Sequence, residues 1–191
     1  MLPQPSWWEY DEEAEEYVDT SDETWEIGIV DAGTESDVNT FYVSNNHPEA
    51  TEAETDEDVP HMYNCSFTVV DGDGGEEMAL VTGKDSEGED IGDGDPWTNI
   101  SVDGGEEWTV VGGDEQSQPI GYDQELEAGD ELVDAAISGD YYSGEDFFEE
   151  EDNYNFTDFD LMLDVPEEAP SGPMDFLLRI TYDYVGLGEE E

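Results

Sequence analysis

The sequence predicts an all-β protein built as an antiparallel β-sandwich, and two patterns support this prediction. Apolar and polar residues alternate over several short segments, as they do on half-buried strands. Runs rich in Gly, Asp and Asn separate these segments at short intervals, and no alternation of strands with helices occurs. The 5 Trp, 10 Tyr and 7 Phe residues supply large apolar bodies for a core. They argue against the disorder that the charge alone would suggest.

The chain is extremely acidic, with 57 Asp and Glu residues against Lys84 and Arg179, and a formal net charge of −55. Binding to nucleic acid or to an anionic membrane surface needs cationic side chains, so neither is expected as a partner. The acids are spread along the whole chain, which favours adaptation to a salty medium over one acidic patch. At about 1 M salt the Debye length falls to about 3 Å, so exposed charges hardly interact. We therefore expect the source to be an extreme halophile or a virus that infects one.

Residues 1–23 are predicted to form an acidic, aromatic arm. The run from Ser6 to Glu9 fits a capping box, and the spacing that follows allows a helix from Trp7 to Val18. One interpretation is a solvated acidic leader. The favoured one is that Trp7, Trp8 and Tyr10 dock the arm on a neighbouring molecule, because exposed aromatic residues in a polar segment need a partner. On that interpretation, deleting residues 1–23 leaves a folded domain. The positive start and apolar run of a signal peptide are missing here.

Residues 24–185 are predicted to form the sandwich domain, and its first half contains two pairs of strands. Trp25, Ile27 and Ile29 share one face of the first strand, which turns at residues 31–33 into a strand over residues 38–43. Cys65, Phe67 and Val69 then alternate with smaller residues, and the Gly-rich run at 71–75 is a tight turn. Residues 78–81 are expected to return as the partner strand.

The second half predicts another hairpin and two long strands. Residues 100–102 and 108–111 flank a second Gly-rich turn, and the strand over 159–165 alternates clearly. A last strand is expected over 174–185, and residues 186–191 form an acidic tail. The residues predicted to share one core are Trp25, Ile27, Ile29, Phe67, Leu161, Leu163, Phe176, Leu178 and Ile180.

Candidate catalytic residues are few. No G-x-S-x-G nucleophile motif occurs, and His47 and His61 are both expected in solvent, in or beside an acidic loop. Cys65 is expected to be a small core residue, since no cationic neighbour is present to lower its pKa. Paired carboxylates, as in glycoside hydrolases, carry no information in a chain with so many acids. The sequence therefore predicts a protein without catalytic turnover.

Two short Gly-rich loops could hold a cation. Asp71 and Asp73 lie on one loop, and Asp90, Asp93 and Asp95 lie on the other. Carboxylate oxygens on such loops suit Ca²⁺, Mg²⁺, Na⁺ or K⁺, although neither loop fits the EF-hand pattern. The competing interpretation is that these acids stabilise turns on an acidic surface. No cofactor is expected otherwise.

Several segments resemble immunoglobulin-like domains and viral accessory proteins. Residues 25–36, running into Phe41 to Asn46, resemble the opening strands of many immunoglobulin-like domains, and residues 161–180 resemble their closing hairpin. Residues 100–108 are similar to segments of accessory structural proteins of tailed viruses. The resemblance implies an immunoglobulin-like sandwich with long acidic loops. It also implies a structural role in a virion.

The leading hypothesis is a structural protein of a tailed virus that infects halophilic archaea, assembled in the host cytoplasm. A capsid decoration or turret protein comes first, and a tail or baseplate component comes second. The expected partners are the major capsid protein or tail proteins, together with further copies of the chain. A hypothesis of another class is an acidic mimic of DNA that occupies a DNA-binding protein, and a third is an enzyme such as a glycoside hydrolase.

Overall fold

The structure is a computed structural model composed almost entirely of β-strands and their connections. It describes residues 2–21, 25, 27–50, 57–75, 78–125, 132–142, 144, 146–149 and 153–184. The predicted tail at 186–191 lies outside the described residues. In chain order the elements are β1 (Pro5–Asp11), β2 (Glu16–Asp19), β3 (Thr34–Glu35), β4 (Asn39–Asn45), β5 (Tyr63–Asp71), α1 (Ala79–Thr82), β6 (Thr98–Ser101), β7 (Thr109–Val111), β8 (Gln118–Pro119), β9 (Tyr122–Glu125), β10 (Leu132–Ala136), β11 (Phe156–Val165) and β12 (Phe176–Asp183).

The described strands form three antiparallel sheets. The large sheet has the order β2-β1-β4-β11-β6-β7, and β3 pairs with the end of β11. A three-stranded sheet has the order β12-β5-β8, and β9 pairs with β10. The prediction of an all-β, antiparallel fold is confirmed.

The main core lies between the large sheet and the three-stranded sheet. The rings of Phe67 on β5 and Phe159 on β11 lie 4.9 Å apart, which joins the two sheets at the centre of the core. Val43 and Leu161 add to the core from the large sheet, and Val69 adds to it from the smaller sheet. Two sheets that share one apolar layer are consistent with a β-sandwich.

The strands with the clearest alternation occur where the sequence predicts them. β5 pairs with β12, β6 pairs with β7, and β11 lies at the centre of the large sheet. Cys65 is buried in the main core, as expected. On β12, Phe176, Leu178 and Ile180 pack against that core, although they are only half-buried, while Leu177 is exposed. The predicted inward face of β12 is therefore confirmed.

The helix predicted over residues 7–18 is wrong, because β1 and β2 form a hairpin there. β1 pairs with β4, which makes the segment predicted as an arm part of the large sheet. Trp7 packs against the main core, and Trp8 is buried in a second cluster on the opposite face. Both faces of β1 therefore bury aromatic area, which favours the strand. A helix would be disfavoured, because it would place like charges one turn apart.

Two predicted strands are also wrong. Residues 25 and 27–30 form no strand, and Ile29 is 96% exposed although it was expected in the core. Gly28 has a φ of 80°, a conformation that interrupts the extended backbone an alternating strand requires.

The second error concerns the segment over residues 78–81, after the first Gly-rich turn, which the sequence predicts to be a strand. It forms α1, one helical turn that buries the adjacent Leu80 and Val81 and ends at Gly83 in the left-handed region. Two adjacent buried side chains fit a helical turn better than a strand with one buried face.

Candidate functional site

Three tyrosines form a row on the outer face of the large sheet, which we call the tyrosine shelf. Tyr10 lies on β1, Tyr17 on β2 and Tyr42 on β4. The ring centroids of Tyr10 and Tyr17 are 5.1 Å apart, and those of Tyr17 and Tyr42 are 5.0 Å apart. Both contacts are edge-to-face, so successive rings meet at a corner instead of forming a flat stack.

Strand register brings the tyrosines together. Side chains alternate along β1, so Trp8 and Tyr10 share its outer face while Trp7 points into the main core. Tyr10 lies opposite Tyr17, and Trp8 lies opposite Tyr42. At the other end of this face, Phe147 and Phe148 cover Trp8. Phe148 also packs against Tyr17 and Tyr42, at 4.4 and 5.4 Å between ring centroids, so Tyr10 is the exposed ring of the shelf.

An open cavity of about 490 Å³ lies over the shelf. Besides the three tyrosines, it is lined by Glu9, Glu12, Val38, Asn39, Thr40 and Glu149. Tyr10 and Val38 are exposed apolar groups there. The cavity thus combines aromatic walls with a rim of carboxylates.

The electrostatic field at the shelf is negative. Burial raises the pKa of Tyr17, and the carboxylate of Glu149 raises it further, although a hydrogen bond with Tyr42 opposes the shift. Burial is also the main reason that the pKa of Tyr42 is raised, followed by the interaction with Tyr17 and then by Asp158 and Asp160. These phenols are therefore neutral, and a cation close to them would be stabilised.

A second cluster adjoins the shelf and contains His47. The imidazole lies 4.0 Å from the ring of Trp8 and 4.2 Å from that of Phe147, between centroids, and the residue is only 5% exposed. Burial lowers the pKa of His47 to about 4. The prediction that His47 lies in solvent is wrong, because the chain after β4 folds back against Trp8.

His61 lies apart from that cluster and is half-buried. Its Nδ1 accepts the backbone N–H of Gly139 at 2.9 Å. A backbone hydrogen bond therefore holds His61 in place, whereas the sequence predicts a loop histidine in solvent.

The three residues predicted to dock on a neighbour lie in different surroundings. Trp8 is 3% exposed within its own chain, and Tyr10 belongs to the shelf. Trp7 is half-buried and lines a groove of about 480 Å³ together with Trp25 and Phe176. Tyr17 and Tyr42 were missed, since the β1–β2 register brings in Tyr17 and the pairing of β1 with β4 brings in Tyr42.

The predicted cation-binding acids mostly stabilise loops. The carboxylate of Asp71 accepts the N–H of Met78 at 2.9 Å, and that of Asp73 accepts the N–H of Gly75 at 3.1 Å. Asp90 forms an ion pair with Lys84, while Asp93 and Asp95 are exposed. Within the described ranges, no group of three or more His, Cys, Asp or Glu residues is arranged to hold a metal ion. Cation binding therefore stays a prediction.

Two further side chains that could take part in chemistry are those of Cys65 and Arg179. Burial raises the pKa of the Cys65 thiol to about 12, so this thiol is a poor nucleophile. The guanidinium of Arg179 forms an ion pair with Asp114. Together with Lys84, this means that both basic side chains of the chain are paired with aspartates.

The comparisons with known proteins give no relative. The chain matches no family model, no curated protein and no solved structure. In the part of the chain that the structure describes, no helix has the length and apolar character needed to cross a membrane.

Proposed function

We propose that the protein is a non-catalytic structural component of a tailed virus of halophilic archaea, and that it binds its particle through the tyrosine shelf. In this proposal it is an immunoglobulin-like capsid decoration or turret protein, assembled in the host cytoplasm. The observation that carries the proposal is the row of Tyr10, Tyr17 and Tyr42, which lines an open cavity on a surface otherwise dominated by carboxylates.

Aromatic rows of this kind suit a docking surface. Tyrosine buries a large area while few torsions are frozen, which is why it is enriched at interfaces. The shelf is held by three hydrogen-bonded strands, β2, β1 and β4, so its rings are positioned before a partner arrives. Val38 extends the apolar area, since it is exposed on the wall of the same cavity.

The charge of the chain is compatible with assembly only in concentrated salt. At low ionic strength, copies carrying −55 would repel one another and any acidic partner. In molar salt this repulsion acts over only about 3 Å, and the burial of aromatic area decides whether a complex forms.

A double variant of the shelf tests the proposal. Tyr10→Ser combined with Tyr17→Ser removes two of the three rings, and we expect occupancy on purified particles to fall about tenfold or more. The matched control combines Tyr141→Ser with Tyr184→Ser, because both of these tyrosines are exposed and neither lines the cavity. Circular dichroism in molar KCl verifies that both variants are folded.

The outcome also separates the competing functions. Unchanged occupancy of the folded shelf variant contradicts the proposal. Recovery of the wild-type protein with a DNA-binding protein, and not with particles, replaces it by the DNA-mimic hypothesis. Antibody labelling of particles in the electron microscope then distinguishes a head component from a tail component.

A further inference from the structure

We propose that the tyrosine shelf receives an arginine side chain presented by the partner protein. This inference rests on the proposed function and names the chemistry of the partner. The site is the cavity of about 490 Å³, where the rings of Tyr10, Tyr17 and Tyr42 meet the carboxylates of Glu9, Glu12 and Glu149.

Charge complementarity is the first argument for a cationic occupant. Glu9, Glu12 and Glu149 line the cavity, and Asp158 lies directly opposite Tyr42 on the neighbouring strand. A neutral or anionic ligand would leave this negative field uncompensated. The chain's own cations do not fill the role, because Lys84 pairs with Asp90, Arg179 pairs with Asp114, and neither lines the cavity.

The arrangement of the rings is the second argument. The planes of Tyr10 and Tyr17 are inclined at 63°, and those of Tyr17 and Tyr42 at 86°. Phe148 packs against Tyr17 and Tyr42, so a bound group would lie against the exposed ring of Tyr10 and contact the parts of the other two rings that line the cavity. A cation near an aromatic face is attracted by the ring quadrupole, and this attraction grows when water is excluded.

Molar salt decides which cation is favoured. The ammonium group of lysine is a strongly hydrated point charge, and concentrated salt screens its attraction beyond about 3 Å. The guanidinium group is planar and weakly hydrated, stacks on aromatic rings, and donates paired hydrogen bonds to a carboxylate. We therefore expect arginine to be preferred over lysine at this site.

The test uses small probes and the full chain. N-acetyl-arginine amide, N-acetyl-lysine amide and N-acetyl-citrulline amide are titrated in about 2 M KCl, and the tyrosine ring signals are followed by NMR. Citrulline has the shape of arginine without its charge. We expect saturable shifts of the Tyr17 and Tyr42 signals with arginine amide, and affinity about fivefold or more above that for the other two probes.

Matched variants locate the site. Glu149→Gln removes one carboxylate from the rim and is expected to weaken arginine binding severalfold. Glu87→Gln removes an exposed acid in the loop after α1, outside the cavity, and is expected to leave binding unchanged. The inference is overturned by equal affinity for arginine and citrulline, by an absence of saturable shifts, or by equal effects of the two variants.

The inference and the proposed function fail separately. Suppose that the Tyr10→Ser, Tyr17→Ser variant no longer binds particles but arginine is not preferred over the other probes. The shelf is then still the docking surface, and the proposed occupant is wrong. Suppose instead that arginine binds at the shelf but the Tyr10→Ser, Tyr17→Ser variant keeps its full occupancy on particles. The shelf is then an arginine-binding site, and its proposed role in docking is wrong.

Discussion

The imidazole of His47 lies against the rings of Trp8 and Phe147, where little solvent reaches it. The same rings line the second apolar cluster, which holds the 146–149 segment against the large sheet. A charged imidazole in this place would lose its hydration, and the attraction of the Asp19 carboxylate offsets only part of that loss, which is why the pKa falls to about 4. The folded state therefore favours the neutral form of His47.

The stability of the protein should depend on pH through this residue. The pKa of His47 is about 4 in the folded state against 6.5 in the unfolded chain, so the unfolded state binds the proton more strongly. The contribution is fully present above pH 6.5, is lost as the pH falls towards 4, and amounts to about 3 kcal/mol. We expect His47→Phe to remove this dependence in denaturant unfolding in molar KCl. The variant keeps every carboxylate of the wild type, so parallel pH profiles for the two proteins would contradict this account.

Core leucines on the two sheets should differ in their contribution to stability. Leu161 on β11 is fully buried, whereas Leu178 on β12 is half-buried. We expect Leu161→Ala to lower the free energy of unfolding by about 2–5 kcal/mol and Leu178→Ala by about 1–2 kcal/mol. Guanidinium unfolding of both variants in the same salt measures the difference. A larger loss of unfolding free energy for Leu178→Ala than for Leu161→Ala would contradict this assignment of the core.

At the scale of elements, the β1–β2 hairpin connects the core to the shelf. β1 buries Trp7 against Phe41 and Phe159 on one face, and Trp8 against Phe148 on the other. The indole N–H of Trp8 also donates to the hydroxyl of Ser6 at 2.9 Å, within a buried contact between β1 and β4. The hairpin is thus both a structural strand pair and the support of the candidate site.

Removal of the hairpin should therefore unfold the protein. A chain that lacks residues 1–21 loses β1 and β2, exposes the edge of β4 and uncovers Phe41 and Phe156. We expect this truncated chain to aggregate or to lose its cooperative unfolding transition in molar KCl. Thermal unfolding followed by circular dichroism checks this, with the full chain as the control. A cooperative transition at the wild-type temperature would mean that the segment is a separable arm after all.

How far the sequence predicts the fold depends on where each strand buries its residues. From Phe159 to Val165, β11 buries every second residue in one core, so alternation alone identifies it. Alternating residues of β5 and β12 also pack against that core. β1 buries the adjacent Trp7 and Trp8 in two different clusters, and this pattern is compatible with a helix as well. The shelf could be anticipated only through Tyr10, because Tyr17 joins it through the register of the β1–β2 hairpin and Tyr42 joins it through the long-range pairing of β1 with β4.

At the scale of the whole molecule, the negative charge sets the conditions under which the fold exists. With Lys84 and Arg179 both paired, no basic side chain remains to offset the other carboxylates. The fold still buries an extensive core of aliphatic and aromatic residues. The stability of the folded state is therefore a balance between this burial and a repulsion that salt can screen.

Folding should accordingly depend on salt. When KCl is lowered from about 2 M to about 10 mM, the Debye length grows to about 30 Å and every carboxylate repels its neighbours. We expect the β-type circular dichroism spectrum to disappear at neutral pH before the lower concentration is reached, and to return when salt is restored. An unchanged spectrum in dilute buffer would contradict salt-dependent folding.

The abundance of the protein in purified virus particles tests the proposed function most directly. Quantitative mass spectrometry of particles from the halophile culture that produces this chain gives its copy number relative to the major capsid protein. We expect many copies per particle, in a fixed ratio to capsid or tail proteins, because symmetric assemblies repeat their components. Its absence from purified particles, while it is present in the infected cells, would contradict the proposal.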